Sequence, residues 1–469
     1  MKTAIAQSSW LPDLGFRLDA GPYVGEGNTL RRLLRRAHSV AVPLDSVTLN
    51  GKKGIFNGPR FSRIYIPPSD TSVPFLGSTD ILSADIRNVP HLARTFVQKF
   101  PELVIREDWT LITCSGTVGR MAFTRPDMAG KAGSQHFLRV VPDQDAINPG
   151  YLYAYLSCKY GVGQVVGLTY GAVVQHLEPI HICDLIVLVA PHDVQSRVGS
   201  LISEAARLRA DASRIVGLAV AELESSSGLH HLAERDEVAD AVVTFVLSSE
   251  LDNRFDARYH GSYHRSVRVP LAARYPMGSA TVASHAEIIE PPRFKRRGGA
   301  TSDIGIPFLT TGVLHHSDPI PNQYLFPDAS VDSYRVDQNT VLVPRSGQIS
   351  GILGEVVLPH SSMLAAAISE DAIRIKCSDR NLAGFLYLAL TSEYGRRQLK
   401  SVAFGSSIPH LNPQVIGQVL VPRVGSSTLT TLGSAGQRAS MMRTIATAKE
   451  ADARNQVEAW IEQECGSRE

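Results

Sequence analysis

Apolar residues between positions 193 and 224 recur at alternating steps of four and three, which is the spacing of a coiled-coil helix. The positions of this seam are Val194, Val198, Leu201, Ala205, Leu208, Ala212, Ile215 and Ala219. Charged residues such as Arg197, Glu204 and Arg209 lie off the seam. At 1.5 Å per residue the segment predicts a rod of roughly 48 Å, about the length of a spacer between two domains. An ordinary long core helix is the alternative interpretation.

A second amphipathic segment lies at residues 428–464. Its apolar seam comprises Leu432, Ala435, Ala439, Met442, Ala446, Ala453, Val457 and Trp460. Lys449 and Gln456 interrupt this seam. A helix that exposes an apolar stripe needs an apolar partner, and each of the two rods can cover the other. We therefore expect an antiparallel helix pair with one globular region at each end, related by a pseudo-twofold axis.

The sequence before the first rod is repeated before the second. LGFRLDA at 14–20 corresponds to DNRFDA at 252–257, PRFSR at 59–63 to PRFKR at 292–296, and PFL at 74–76 to PFL at 307–309. Further along, TLITCSG at 110–116 corresponds to VLVPRSG at 341–347, GYLYAYLSCKYG at 150–161 to GFLYLALTSEYG at 384–395, and YGAVVQHLEP at 170–179 to FGSSIPHLNP at 404–413. Six blocks in one order, with offsets of 231 to 237 residues, indicate an internal duplication.

Each copy shows the same coarse arrangement of elements. Runs at 63–66, 110–114 and 341–344 predict strands, and the blocks at 150–160 and 384–394 predict helices. Short apolar strands at 184–189 and 417–421 stop at proline. The pattern predicts a mixed α/β (α+β) fold with two tandem duplicated domains. We place the first domain at 1–191, the first rod at 192–228, a connecting segment and the second domain at 229–424, and the second rod at 425–469.

Composition places the chain among ordinary globular proteins. The net charge is +2, so any basic surface must be local. The five cysteines, Cys114, Cys158, Cys183, Cys377 and Cys465, contain no CxxC pair, which favours reduced thiols and no structural zinc. The first 15 residues lack the apolar core of a signal peptide, and no apolar run is long enough for a membrane span. We expect a cytoplasmic protein.

No catalytic motif is apparent. The proline pairs in IPPSD (66–70) and EPPRF (290–294) lack the polar residue and the aromatic residue that a methyltransferase loop requires, and no phosphate loop is present. The glycine turns at Gly116 and Gly347 are expected to be tight turns. The histidine pairs 230–231 and 315–316 lack partners at metal-ligand spacing and are expected in solvated loops. The basic segment RRLLRR (31–36) is expected to be a solvated helix face.

The repeated PRFSR and PRFKRR segments are the candidate binding residues. Each places cations on both sides of an aromatic residue, and arginine forks suit phosphate or the O6/N7 edge of guanine. The aromatic either locks the loop or stacks on a base. With two nearby lysines, the candidate DNA-binding residues are Lys52, Lys53, Arg60, Phe61, Arg63, Arg293, Phe294, Lys295, Arg296 and Arg297. The alternative is that Phe61 and Phe294 are core anchors and the cations are merely solvated.

Over residues 10–465 the chain resembles the specificity (S) subunit of type I restriction-modification systems. The resemblance rests on the order of the duplicated blocks, each closing with the 150–161 or 384–395 helix, a turn ending in HLEP or HLNP, a proline-stopped strand and a long helix. It implies two target recognition domains, each reading one half of a bipartite DNA sequence, with the helices as spacer. The extra segment 229–250 and the early start of the first copy depart from the usual pattern and leave the boundary near residue 250 open.

The resemblance also implies partners and a cofactor assignment. Two methyltransferase (M) subunits would dock on the helices and carry S-adenosylmethionine, so this chain would be a non-catalytic subunit that binds double-stranded DNA and no cofactor or metal. Whether a restriction and translocase (R) subunit joins is left open. Two alternatives are the recognition part of a type IIG-like restriction-methylation enzyme, and a specificity-like scaffold or regulator that does not bind DNA.

Overall fold

The structure is a computed structural model, and it describes most of the chain. The described residues are Ser8, Tyr23, 26–37, 39–169, 176–229, Leu232, 245–248, Leu251, 254–273, 278–405 and 407–466. The block at 14–20, residues 170–175 of the YGAVVQHLEP block, the histidine pair 230–231 and most of the extra segment 229–250 lie outside them.

Helices and strands both occur throughout the described residues. The helices are α1 Glu26–Leu34, α2 Arg94–Val97, α3 Pro149–Ser157, α4 Lys159–Gly167, α5 Pro179–Ile182, α6 His192–Ser226, α7 Ala257–His260, α8 Ser262–Ala272, α9 Ala329–Asp332, α10 Ser362–Ala365, α11 Arg380–Thr391, α12 Glu393–Val402, α13 Pro413–Gly417 and α14 Ser426–Gly466. The strands are β1 Ala41–Pro43, β2 Ile55–Asn57, β3 Ser72–Leu76, β4 His91–Ala93, β5 Thr110–Thr113, β6 Met121–Phe123, β7 Ala132–Gly133, β8 Phe137–Val140, β9 Ile186–Leu188, β10 Ser279–Thr281, β11 Glu287–Ile289, β12 Ile306–Leu309, β13 Gln323–Leu325, β14 Thr340–Pro344, β15 Ala367–Ile368, β16 Ala372–Lys376 and β17 Leu420–Pro422. Both predicted rods are confirmed as α6, of 35 residues, and α14, of 41 residues.

The chain divides into two compact units. Unit 1 comprises residues 1–210 and 446–469, and unit 2 comprises residues 211–445. The limits of both units fall inside α6 and α14, so each long helix contributes residues to both. This division differs from the predicted limits at 191, 228 and 424, which stay a prediction.

The strands of unit 1 and unit 2 pair in the same way. In unit 1, β3 is antiparallel to β4 and parallel to β7, and in unit 2 β12 is antiparallel to β13 and parallel to β15. A second sheet runs β2-β8-β5-β6 in unit 1 and β11-β16-β14 in unit 2. The first and last strands of each copy pair antiparallel, β1 with β9 and β10 with β17. The predicted duplication and mixed helix-strand fold are thereby confirmed.

Two glutamines show how closely the copies correspond. Gln164 on α4 donates to the backbone oxygen of Ile186 at 3.1 Å and accepts from its amide at 3.0 Å. Gln398 on α12 makes the same two bonds with Leu420, both at 2.9 Å. In each copy the glutamine side chain therefore satisfies both the amide and the carbonyl of one strand residue.

The domain helix of each copy packs closely on a long helix. In unit 1 a Cβ added to Gly150 on α3 would lie 2.8 Å from the Cα of Gly199 on α6. In unit 2 a Cβ added to Gly384 on α11 would lie closer still to the backbone oxygen of Gly433 on α14. A side chain at either contact would push the helices apart, because backbone atoms cannot move aside as the end of a flexible side chain can. Glycine at these places is a packing requirement.

Within unit 1 the paired parts of α6 and α14 run antiparallel. Val198, Ile202 and Ala206 share one core cluster with Ala453, Val457 and Ile461. Lys449 lies 2.8 Å from Glu204, and Arg197 donates to Gln456 at 2.9 Å. The polar residues that interrupt the second seam are therefore paired with α6. In unit 2, Ala212, Val216, Ala219 and Leu223 share a core cluster with Leu432 and Ala439.

Three predicted local elements are wrong. Residues 63–66 form a loop and not a strand, with one bridge from Ile66 to His91, because the following prolines 67 and 68 have no amide to donate to a ladder. The helix predicted at 150–160 is two helices, since the backbone of Cys158 is extended. The helix predicted at 384–394 breaks in the same way at Ser392, whose side chain caps the next helix.

One prediction about burial is also wrong. The RRLLRR segment is not wholly solvated, because Leu34 is in the core and Arg31 is buried and donates to the backbone oxygen of Asp184 at 2.8 Å. Arg209, which lies off the apolar seam of α6, is also buried, and it forms an ion pair there with Glu450 of α14. Sequence spacing places a residue on a helix face but does not reveal a buried partner on another element.

Candidate nucleic-acid interface

The aromatic residue of the first cationic segment locks its loop. Phe61 packs against Phe75 of β3 with ring centroids 6.0 Å apart and against Phe96 at 4.8 Å. Arg60 and Arg63, on either side of it, are exposed. Of the two roles predicted for this aromatic, the structure favours the anchor, and the cations remain at the surface.

The second copy is built alike. Phe294 stacks on Tyr334 at 4.0 Å and meets Phe308 of β12 at 6.2 Å. The four flanking cations are exposed: Arg293, Lys295, Arg296 and Arg297. Aromatic contacts of this kind contribute about 0.5–1.5 kcal/mol beyond area burial, so they hold the loop in place.

One arginine in each segment lies over a ring and reaches the loop that follows β7 or β15. The guanidinium of Arg63 lies 5.4 Å from the ring centroid of Phe75, and its Nη2 donates at 3.3 Å to Gln135 Oε1. The guanidinium of Arg296 lies 4.7 Å from the ring of Phe308, and its Nη2 donates at 2.7 Å to Glu370 Oε1. We call residues 134–136 and 369–371 the contact loops.

A buried arginine holds the backbone beneath each contact loop. Arg139 on β8 donates to the carbonyl oxygens of Gly133 at 2.9 Å, Ser134 at 3.3 Å and two further residues. Arg374 on β16 donates to the oxygens of Ile368 at 2.9 Å, Ser369 at 3.3 Å and two others. Burial lowers the pKa of both arginines to about 10, so each remains charged at neutral pH.

Replacing Arg139 with lysine is expected to destabilise the protein by about 2 kcal/mol. An ammonium group cannot reach carbonyls that a planar guanidinium fork spans, and each buried carbonyl left without a donor costs about 1–3 kcal/mol. Denaturant unfolding of the full chain measures the loss. Arg106→Lys, at an exposed position, is the matched control and should change stability by less than about 0.5 kcal/mol. Equal stability of the two variants would contradict the bracing role.

The first contact loop carries no carboxylate. His136 accepts or donates through Nδ1 to Ser115 at 2.8 Å, and its Nε2 lies 3.2 Å from Gln135 Nε2. Burial lowers the pKa of His136, and the charges of Arg63 and Arg60 lower it further. Both predicted arginines therefore lie near one neutral imidazole, and the positive charge of this surface comes from them.

The second contact loop is acidic. Asp371 accepts from Arg345 at 2.8 Å, and Arg345 also contacts Glu290 at 2.8 Å. Burial alone would raise the pKa of Glu370, but the hydrogen bond and charge of Arg296, with the charge of Arg293, bring it below its usual value. The two contact loops thus share a backbone arrangement, but the first carries no carboxylate and the second carries two.

Lys52, Lys53 and Arg297 are also among the predicted residues. Lys52 and Lys53 are exposed in a 3-10 turn at Gly51–Gly54. Burial raises the pKa of the Cys183 thiol, and the positive charge of Lys52 offsets part of this rise. In the second segment, the backbone oxygen of Arg297 accepts from the amide of Phe326 at 2.9 Å. The contact loops and the buried arginines were not predicted from the sequence. An arginine inside each of the apolar strands FLRV and AIRIK, at equivalent positions, was the available signal.

The described residues offer no candidate metal centre. Among them no group of three or more His, Cys, Asp or Glu side chains is placed to hold an ion. His315 was expected in a solvated loop, but it is partly buried, and burial lowers its pKa to about 4. The five cysteines are free thiols, and all but Cys465 are buried. No helix in the described part of the chain is long and apolar enough to cross a membrane.

Comparisons with known proteins give structural likenesses only. No protein-family model matches the chain, and no curated protein sequence matches it. The type I restriction-modification S subunit of M. genitalium is 12% identical, with 92% of this chain and 95% of that chain covered and a TM-score of 0.32. The HsdS subunit of Thermoanaerobacter tengcongensis is 13% identical, covers 91% and 96%, and has a TM-score of 0.27. A structure of type I R-M complex assembly is 12% identical, covers 91% and 96%, and has a TM-score of 0.25.

Proposed function

We propose that the chain is the DNA-specificity subunit of a type I restriction-modification complex and is itself not an enzyme. One observation carries the proposal. An aromatic-anchored cationic loop, a contact loop and a buried arginine brace recur at equivalent places in both units. A duplicated site of this kind suits a target that is read in two halves.

Each copy supplies the groups that DNA recognition needs. Exposed arginine and lysine side chains bind phosphates, and an arginine fork can donate two hydrogen bonds to guanine O6 and N7 in the major groove. Because the aromatic residues and the buried arginines fix the loops beforehand, little conformational freedom is lost on binding. The small net charge of +2 is compatible with this role, because exposed cations flank the aromatic residue of each cationic segment and a local basic surface does not require a large net charge.

The long helices and the partners complete the proposal. The helices would set the distance between the two half-sites and provide the surface on which two M subunits dock. S-adenosylmethionine would be bound by the M subunits, which would flip an adenine out of the duplex and methylate it. This chain contributes binding and spacing, and carries no cofactor.

Replacing both Arg60 and Arg63 with alanine should weaken recognition of one half-site only. These residues belong to unit 1, so the second half-site keeps its own cationic segment. Losing two phosphate contacts should also reduce the slope of log affinity against log salt by about 1.8. Binding of the chain with its M subunits to duplexes mutated in either half measures the effect.

Arg293→Ala with Arg297→Ala is the matched variant in unit 2 and should affect the other half-site. An equal loss of discrimination at both half-sites with either variant would contradict the assignment of one half-site to each unit. Unfolding curves of both variants should match the wild type, since all four side chains are exposed.

The chain alone should bind no S-adenosylmethionine and methylate no DNA. Calorimetry with the cofactor and a methylation assay, each with and without M subunits, measure this. Methylation by the purified chain would favour a type IIG-like enzyme, and a complex that methylates but binds DNA without sequence preference would favour the scaffold alternative.

A further inference from the structure

The contact loops occupy equivalent positions although their side chains differ. The amide of Ser134 donates to the oxygen of Leu76 at the end of β3 at 2.9 Å, and the amide of Ser369 donates to that of Leu309 at the end of β12 at 3.0 Å. The next residue is Gln135 in unit 1 and Glu370 in unit 2. A neutral amide and a carboxylate therefore occupy one structural position.

This difference decides how firmly the neighbouring arginine is held. Arg63 donates to two uncharged acceptors, Gln135 and Ser134, both at 3.3 Å, near the upper limit of useful hydrogen-bond length. Arg296 meets Glu370 at 2.7 Å, and this carboxylate side chain is only 9% exposed. In the Arg296–Glu370 contact both donor and acceptor are ionised, so this shorter bond holds its arginine more firmly than the two long bonds to uncharged acceptors hold Arg63.

The contact with Glu370 leaves part of the Arg296 guanidinium for a ligand. The side chain of Arg296 is 34% exposed, its plane is held over Phe308, and its described contacts use Nη2 alone. Because the carboxylate offsets the charge of Arg296, this arginine attracts phosphates less than Arg63 does. Arg296 retains a fixed pair of N–H donors. Such a pair suits the edge of a base, whose acceptors have set positions, better than it suits a mobile contact with the phosphate backbone of DNA.

We infer that Glu370 is a positioning residue that holds Arg296 for bidentate contact with a guanine, and that Gln135 leaves Arg63 a looser, more phosphate-directed contact. The inference rests on the proposed function. The side chain at position 135 in unit 1, and at position 370 in unit 2, then determines how strictly that unit discriminates between bases in its half-site. The half-site of unit 2 contains a guanine that is read strictly, and the corresponding base in the half-site of unit 1 is read permissively.

The exchange variants Glu370→Gln and Gln135→Glu test the inference. The complex of the full chain and its M subunits is incubated with a pool of duplex DNA carrying randomised bases, and the bound duplexes are sequenced at several salt concentrations. For Glu370→Gln we expect discrimination at one guanine to fall about tenfold. The log–log salt slope should steepen by up to about 0.9, because one uncompensated cation is gained. Gln135→Glu should sharpen one position in the other half-site and flatten the slope.

Matched controls separate these effects from a simple change of charge. Asp332→Asn removes a carboxylate that contacts Arg335 at 2.9 Å, and Gln98→Glu adds one at an exposed position of unit 1. Neither should change base preference. A merely structural role for Glu370 would lower affinity for all sequences equally and leave the preference unchanged, which would overturn the inference. If the wild-type complex selects no bipartite sequence, the proposed function fails as well.

Discussion

Replacing Glu450 with leucine is expected to destabilise unit 1 by about 3–5 kcal/mol, because it leaves a buried arginine without its counter-charge. Glu450 and Arg209 lie 2.5 Å apart, with side chains 2% and 9% exposed. The hydroxyl of Tyr153 on α3 also donates to the carboxylate of Glu450. The pair therefore joins α6, α14 and the domain helix α3 at one buried point.

The same pair predicts acid sensitivity. Burial alone would raise the pKa of Glu450, but the charges of Arg209 and Arg454 and the two hydrogen bonds to the carboxylate lower it well below its unfolded value of about 4.5. A carboxyl whose folded pKa is lowered contributes stability above its unfolded pKa, and this contribution is lost as the pH falls towards the folded pKa. Denaturant unfolding between pH 7 and pH 3 should therefore show a larger loss for the wild type than for a double variant lacking the pair.

Unit 2 contains a control for Arg209, the buried arginine of the pair. Arg443 donates to Tyr387 at 3.1 Å and is also buried, but in the described residues its Nε and Nη2 have no hydrogen-bond partner. Arg443→Met should be close to neutral or stabilising, since it removes a buried charge that forms no ion pair with any described residue. Arg209→Met alone should be as harmful as Glu450→Leu, and combining the two should recover most of the loss. Additive losses in the combined variant would contradict the pairing.

Periodicity and repetition predicted the architecture well, because each depends on many residues at once. The predicted rod at 193–224 is observed at His192–Ser226, and the matched blocks become strands with the same pairing in both units. A strand assigned from four residues, as at 63–66, was wrong because two prolines and an anchoring phenylalanine outweigh local β propensity.

Only part of the candidate site could be predicted from the sequence. The PRFSR and PRFKRR cations stand beside a distinctive aromatic, so they could be selected from spacing alone. Their contacts, Gln135 and Glu370, lie more than 70 residues further along the chain and come near only through the parallel pairing of β3 with β7 and of β12 with β15. Long-range contacts of this kind depend on the tertiary fold, and local pattern does not encode them.

Inserting one heptad into each long helix should lengthen the spacer between the half-sites by about 3 base pairs. Seven residues add about 10.5 Å of helix, and successive base pairs are about 3.4 Å apart. Insertion after Ala210 in α6 and after Ile445 in α14 places both additions at the limits of the two units, so every contact described within either unit is retained. A whole heptad also keeps the apolar seam in phase, provided that its two seam positions are apolar.

The spacing can be measured by mapping methylated adenines in cells that carry the chain and its M subunits. We expect both half-sites to keep their sequences while the gap between them grows, because the recognition loops are untouched. An insertion into α6 alone is the control, and it should abolish methylation, since seven residues then lack a partner in α14 and the seam residues that follow are displaced. Methylation at the original spacing by the double insertion would show that the helices do not set the distance, even if each unit recognises its own half-site.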